Sequence, residues 1–487
     1  MKLFLDWSSY ENAGMGDAYA DIPKSGGDFA KAVAVCINSR QCEQTGKGVM
    51  CPSYRVTGNP LLTPGGRVKL LKAALNAGQE DALTNPELAA AMNLCVSCKG
   101  CKRECENEVD MALIKAEYLA QRRKAQGLSL RHKLWAHLPL LLEWRVTARL
   151  VAYRNRLPWL AKLGEKWLGI AASARLPQPV RLAGSAEHKE AHRSQLTRLL
   201  TSAHRIFTAQ PAQPVGCAEH NAAHRSRPMN LPAAQPSQSE EVVLFIDTFN
   251  RHFQPQVAAA ATALLTAAGY NVHQLGLPED RLCCGRTYFN NGMLAQARQQ
   301  ARQLLTAVQP HLAAGRWIVG LEPSCILSLR DEYLKLELGE AAVKLAERVL
   351  LLEEFIAREQ TAKRWQLNFK ATGQPLLVHG HCHQKAVGAM KAMRKVLKSV
   401  DGLEFELIES SCCGMAGHFG LEAEHYPTSQ AMAELALYPA LRQQPEAGLV
   451  TNGFSCRLQI ENGGFQQPQH LAELLYAASL NQMEAEK

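Results

Sequence analysis

Four cysteines stand in the run CVSCKGCKREC, as Cys95, Cys98, Cys101 and Cys105, and three more precede them at Cys36, Cys42 and Cys51. The spacing C-x2-C-x2-C-x3-C lets one tight loop aim three thiolates at a single cubane while the fourth points at a neighbouring cluster, as in bacterial ferredoxin-type [4Fe-4S] centres. Zinc also takes four thiolates, but it usually divides them into separated C-x2-C pairs, so iron–sulfur ligation is the preferred reading. Cys51 is followed by Pro52, as in the ferredoxin run, and in the crossed arrangement it completes a [4Fe-4S] cluster with Cys95, Cys98 and Cys101. Cys36, Cys42 and Cys105 are then left with three thiolates, because Ser39 stands where a further cysteine would follow Cys36. That second centre is a [3Fe-4S] cluster, a [4Fe-4S] cluster with a non-cysteine ligand, or absent.

A rear group holds Cys283, Cys284, Cys325, Cys382, Cys412, Cys413 and Cys456. Two of its pairs are adjacent, in RLCCGRTYFNNG and ESSCCGMAGHFG. Neighbouring side chains point in different directions, so an adjacent pair followed by a permissive glycine suits shared metal ligation on a loop better than a packed core. HGHCHQKA adds Cys382 and FSCRLQ adds Cys456, giving the later pair four thiols for a further iron–sulfur centre. The earlier pair has Thr248 where the upstream cysteine is expected and keeps Cys283, Cys284 and Cys325, a site that reads as degenerate. His379, His381 and His383 flank Cys382, and His418 follows the second pair. They could ligate metal, hydrogen-bond cluster sulfurs or deliver protons; the plainer reading is that some of them pack or cap.

These thiols need elements that bring them together. From residue 242 onward short apolar strands alternate with helical runs: VVLFID, a helix from Pro255 to Gly269, a helix near Leu294 to Val308, and WIVGL at Trp317. The order repeats with PLLVHG, FELIE, a helix through Ala431, and GLVT. Cys284 and Cys413 stand 129 residues apart, and Cys325 and Cys456 stand 131 apart. The alternation predicts two tandem α/β units with mainly parallel sheets, after an α-helical ferredoxin-type N-terminal domain. All four cysteines of the second unit are placed on strand-to-helix loops, the sheet edge where ligands collect. The expected divisions are 28–125 for the ferredoxin-type domain, 126–174 for an amphipathic helical segment, 175–241 for a low-complexity linker, 242–358 for the first unit and 372–487 for the second.

The linker is rich in Ala, Gln, Pro, His and Arg, with Phe207 as its aromatic residue, and cannot bury enough apolar surface to order its whole length. AEHKEAHRS from Ala186 recurs as AEHNAAHRS from Ala218, a tandem slip rather than a metal motif, and Cys217 beside it is not expected to ligate a cluster. Before the linker, Trp135, Trp144, Trp159 and Trp167 lie among leucines and arginines at roughly helical spacing. Such helices lie in a membrane interface or pack on a neighbouring domain.

The chain of 487 residues exceeds a single core. Its fifteen cysteines, without a secretion signal, point to metal rather than disulfides and to a cytoplasmic protein, with the inner face of the membrane a further expectation. The apolar patch around Leu134 to Trp144 is too short to span a bilayer. A net charge of +9 admits an acidic partner, an anionic membrane surface or nucleic acid, and by itself selects none; no nucleic acid is expected among the partners.

On these residues the sequence resembles the CCG-domain family of iron–sulfur oxidoreductases. Segments similar to MCPSYRVT, CVSCKGCK, CCGRTYF, GLEPSCILSLRDEY, HGHCHQKA and SCCGMAGHFG occur in the same order in the C-terminal iron–sulfur half of FAD-linked D-2-hydroxy acid oxidases, and the glycolate oxidase iron–sulfur subunit is also similar. The resemblance covers 28–125 and 242–475. It implies an electron-transfer subunit that takes electrons from a flavoprotein acting on a glycolate- or D-lactate-like 2-hydroxy acid and passes them to a quinone or similar acceptor. Only 35 residues precede the first cysteine, so FAD is expected on a separate dehydrogenase subunit, with substrate oxidation there and no catalytic residue assigned here. Two departures stand against the family pattern: Thr248, and Gly453 where the non-cubane pattern has an extra cysteine. The alternatives from other classes are a disulfide-reductase-like catalytic subunit and a zinc-binding structural protein.

Overall fold

The computed structural model describes residues 1–14, 21–44, 48–78, 82–180, 240–371 and 373–485. Cys217, the tandem slip and most of the expected linker lie outside the described residues.

The N-terminal region is helical among its described residues: α1 (Asp28–Ala34), α2 (Pro52–Thr57), α3 (Pro64–Ala77), α4 (Pro86–Asn93), α5 (Gly100–Glu104) and α6 (Met111–Gln126). Local chemistry sets their starts. Asn85 accepts hydrogen bonds from the Glu87 and Leu88 N–H groups with Pro86 at the first position of α4, and Asp110 accepts from the Leu113 N–H to open α6. Four helices follow: α7 (Leu130–Ala136), α8 (Leu138–Leu142), α9 (Arg145–Arg156) and α10 (Pro158–Leu168). No helix among the described residues is long and apolar enough to cross a membrane.

The first α/β unit carries β1 (Glu241–Phe245), α11 (Thr248–Phe253), α12 (Pro255–Ala267), β2 (Asn271–Leu275), α13 (Arg286–Asn290), α14 (Leu294–Ala313), β3 (Trp317–Gly320), α15 (Pro323–Ile326) and, further on, β4 (Val349–Leu351). Its strands are all parallel, in the order β2-β1-β3-β4. β1 is buried from Val242 through Phe245, the continuous apolar run of a strand covered on both faces. The helix expected to end near Val308 runs past Pro310 to Ala313. Its stripe of Leu304, Val308 and Leu312 packs on the core, which offsets the backbone bond that Pro310 cannot make.

The second unit repeats the plan with β5 (Leu376–Val378), α16 (Cys382–Ala386), α17 (Met390–Lys398), β6 (Phe405–Leu407), α18 (Tyr426–Glu434), β7 (Gly448–Val450) and α19 (Phe454–Asn462). The sheet order β6-β5-β7 is again second, first, third, and again parallel. In the second unit the thiols follow the first, second and third strands; in the first unit they follow the second and third, with Thr248 after the first. They therefore collect at the carboxyl edge, on either side of the strand where connections reverse direction. One core joins the N-terminal helices to the first unit through Phe29, Tyr118, Phe245 and Phe289, and a second core lies between the two units around Leu244, Phe355, Val378 and Leu475.

Candidate metal centres

Cys51, Cys95, Cys98 and Cys101 line one small buried cavity with Pro64, Arg67 and Met111. The loop that carries them is tightly wound. Cys51, Ser97 and Lys99 all adopt left-handed backbone; the Gly100 N–H donates to Cys98, and the Met111 N–H, at the start of α6, donates to Cys101. Gly100 is required here, because a Cβ would stand 3.0 Å from the Val49 carbonyl oxygen. Burial and the neighbouring thiols push Cys98 and Cys101 well above the ordinary thiol range. As thiolates they therefore need a compensating cation. Arg67, itself 2% exposed, places its guanidinium 3.6 Å from Cys51 Sγ and acts electrostatically on Cys95 and Cys101 as well.

Cys36, Cys42 and Cys105 form a second, half-buried set whose thiols act on one another. The structure brings the front cysteines together as a group of four and a group of three.

The two units present matching loops. Gly285 and Gly414 both have positive φ (+79° and +94°), and each donates its N–H to the first sulfur of its pair, Cys283 and Cys412, at 3.4 Å. A Cβ on Gly414 would lie 2.3 Å from the Ser429 carbonyl oxygen, so the turn tolerates no side chain. In the first unit Cys283 contacts Cys284, Cys284 contacts Cys325, and Thr248 sits beside Cys283. In the second, contacts run from Cys382 to Cys412, Cys413 and Cys456. Donation from Cys382 and Cys413 holds Cys412 well below the ordinary thiol range, and that negative charge, with burial, pushes its two donors up.

Cys382 and Cys456 are refined in one respect. Cys382 opens α16 and Cys456 is the third residue of α19, so both belong to first helical turns rather than to the loops before them.

The histidines divide by role. His379 bonds Ser410 Oγ at 2.9 Å through Nδ1 and leaves its buried Nε2 without a hydrogen-bond partner. A ring nitrogen of His379, Cys413 Sγ and Cys456 Sγ all lie within 4.8 Å of one another. An orphaned imidazole nitrogen beside thiols fits a metal or cluster sulfur as its missing partner. Burial keeps this ring neutral. His381 caps α16, and its ring occupies the space above Gly453: a Cβ there would fall 2.4 Å from His381 Cδ2 and 3.1 Å from Cys456 Sγ. The extra cysteine of the non-cubane pattern has no room at that position. His383 Nε2 reaches the Ser97 carbonyl oxygen at 3.0 Å and an Arg286 guanidinium nitrogen at 3.3 Å, tying the second unit to the ferredoxin-type loop and to the first unit. His418 stacks on Trp135 with ring centroids 5.5 Å apart.

Sequence reasoning missed the cations. Lys385 is half-buried, donates to the Ser410 and Ser411 carbonyls, and acts on all four thiols of the second unit. Arg286 does the same for Cys284 and Cys325. Each of the three thiol sets thus has a cation beside it, and the buried Arg457 adds a second at Cys456. Arg286 and Lys385 sit within three residues of a cysteine and could have been flagged; Arg67 has no such signal.

Residues 32–109 match a 4Fe-4S dicluster domain, and residues 245–330 and 376–461 each match the cysteine-rich CCG domain. The chain is an iron–sulfur protein of the CCG-domain family. Among its relatives, a subunit of the anaerobic glycerol-3-phosphate dehydrogenase of Escherichia coli is 29% identical over 251 residues, which cover 50% of this CCG-domain protein and 61% of the relative. The D-2-hydroxyglutarate dehydrogenase of E. coli is 24% identical over 473 residues, covering 88% of this chain and 42% of that one. Lactate utilization protein A 2 of Bacillus cereus is 27% identical over 190 residues, 37% of this chain and 74% of the relative. The CCG-domain protein therefore spans about half the length of the first two. No solved structure matches it. Iron–sulfur centres are the cofactors of such domains, and buried, mutually contacting thiols with cationic neighbours fit them here.

Proposed function

We propose that this protein relays electrons from a separate FAD-bearing dehydrogenase, acting on a glycolate- or D-lactate-like 2-hydroxy acid, to a quinone or similar acceptor at the membrane's inner face. Iron–sulfur centres supply one-electron acceptance and release when bound. Cys51, Cys95, Cys98 and Cys101 hold one cubane and Cys36, Cys42 and Cys105 a second centre. Cys382, Cys412, Cys413 and Cys456 hold a third, and Cys283, Cys284 and Cys325 a fourth beside Thr248. One observation carries the reading: the Cys98 thiol lies within electrostatic reach of Cys412 and Cys382, so the ferredoxin-type set and the second CCG set are neighbours. A zinc-binding structural protein has no use for that juxtaposition.

The deciding experiment is anaerobic purification with iron, acid-labile sulfide and flavin quantified together. Iron and sulfide in near-equal amounts, with flavin on a co-purifying second chain, are expected; zinc without sulfide would overturn the reading. A narrower prediction concerns Lys385. Its replacement by Met removes the cation that faces the four thiols, and iron retention at that set should fall by about 10–100-fold while the Cys51 set keeps its own. Iron titration against a chelator reads this, and equal loss at both sets would count against it.

A second reading has one observation in its favour. A cavity of about 600 Å³ is walled by Cys382, Cys412 and Cys413 as well as by Phe249, Phe454 and Trp135, a volume in the range of small-molecule sites. A centre there would be open to a substrate, as a disulfide-reductase-like protein needs. Turnover of a disulfide by the isolated chain would select this reading over the relay.

A further inference from the structure

The helical hairpin of α9 and α10 is apolar on the side it shows to solvent. Along α9, Val146, Leu150 and Tyr153 fall at helical spacing on one stripe and are 50–61% exposed, with Trp144 at 62% just before it. Along α10, Trp159, Leu163 and Trp167 continue the stripe at 62%, 45% and 73%. Eight of the seventeen large apolar side chains exposed on the described surface lie between residues 144 and 168. A patch of that kind is a docking site rather than ordinary surface.

Its charge says what docks. Arg149, Arg156, Lys162 and Lys166 are exposed around the stripe, and Glu165 is the one acidic residue between 144 and 168. Cores of protein interfaces shed lysine. Tryptophans at the edge of an apolar stripe flanked by cations match the headgroup boundary of an anionic bilayer. The inward side of α9 belongs to the cavity: Thr147 and Val151, with Leu142 of the preceding α8, line it together with Cys382 and Cys412.

We propose that the outer face of α9 and α10 docks on an anionic lipid surface, with Trp144, Trp159 and Trp167 at the headgroup level and Lys162 and Lys166 on the phosphates. The two faces of one segment then set the cysteine-walled cavity directly behind the lipid surface. In this last respect the inference rests on the relay reading and deepens it, because an acceptor dissolved in the bilayer reaches the cavity without crossing water.

Sedimentation of the full chain with vesicles tests this without any electron flow, so its failure is distinct from failure of the relay, which iron, sulfide and flavin content decide. Vesicles of phosphatidylcholine with phosphatidylglycerol should bind the protein, phosphatidylcholine alone much less, and added salt should release it. Brominated acyl chains should quench the tryptophan fluorescence of the unmodified protein. Lys162→Gln with Lys166→Gln should weaken binding about thirtyfold, and Trp159→Ala with Trp167→Ala by about tenfold or more. Lys391→Gln with Lys398→Gln, an equal charge change on exposed α17, should leave it unaltered. A protein that stays in solution with anionic vesicles overturns the proposal, as does a Lys391/Lys398 variant that loses as much as the Lys162/Lys166 variant. Protection of these tryptophans by the purified dehydrogenase partner in place of lipid would show a protein occupant and overturn it equally.

Discussion

Glu332→Gln should destabilise the folded protein by about 3–5 kcal/mol, the cost of leaving buried cations without their anion. Glu332 Oε1 lies 2.8 Å from Lys99 Nζ and 2.6 Å from an Arg286 guanidinium nitrogen, and all three side chains are under 10% exposed. Lys99 keeps a second partner in Asp331 at 2.5 Å, whereas Arg286 has no other carboxylate in contact among the described residues. The pair joins the ferredoxin-type loop, through Lys99, to the first unit, through Arg286, so the loss should loosen that junction as well. Burial alone would push the Glu332 carboxyl up, but Lys99 and Arg286 hold it below the ordinary carboxylate range. A depressed carboxyl contributes stability that is complete above its unfolded pKa and is lost as pH falls through the folded one. Denaturant unfolding should therefore show wild type and variant converging below the ordinary carboxylate range, and differing most near neutral pH. The exposed pair Lys344–Glu340, 3.0 Å apart with side chains 65% and 79% accessible, provides the contrast: Glu340→Gln should change stability by less than about 0.5 kcal/mol. Equal effects from the two substitutions would remove the argument.

Cys51→Ala should cost the protein one whole cubane, its visible absorption, and electron transfer from the flavoprotein to background level. Loss of that thiolate also removes the one sulfur in hydrogen-bond contact with Arg67, leaving Cys95 and Cys101 within electrostatic reach. A further destabilisation of about 1–3 kcal/mol is expected from the lost charged hydrogen bond. Cys42→Ala, in the half-buried three-cysteine set, should spare the Cys51 centre and cost less stability, because that set has more solvent to screen it. Iron and sulfide analysis with EPR of the reduced variants separates the two. Retention of a full cubane signal by Cys51→Ala would mean that the crossed ligand set is wrongly drawn.

Much of this was legible in the chain because the evidence was local. A C-x2-C-x2-C-x3-C run reports the curvature of one loop, and Ser97 and Lys99 adopt the left-handed backbone that such curvature requires. Strand-length apolar runs alternating with helices limited the rear half to parallel α/β units, and the recurrence of CCG at a near-constant offset showed that there were two. The glycine after each pair was readable as a turn because only it accommodates the φ observed.

Other features depended on residues distant in the chain. Nothing in the run around Cys98 indicates that Cys412 stands beside it, or that His383 reaches the Ser97 carbonyl 286 residues away. Arg67 is an ordinary helix residue until α3 folds it against Cys51, and Gly453 is a missing ligand on paper but the space for the His381 ring in the fold. The sequence by itself determined which residues could hold iron and sulfide and what elements carry them, because ligand spacing and hydrophobic period are short-range properties of a chain. The tertiary structure alone decided which thiol sets face each other, which cations neutralise them and where a cavity meets them. Those relations arise from packing whole elements together, and packing is a property of surfaces that no short stretch of sequence contains.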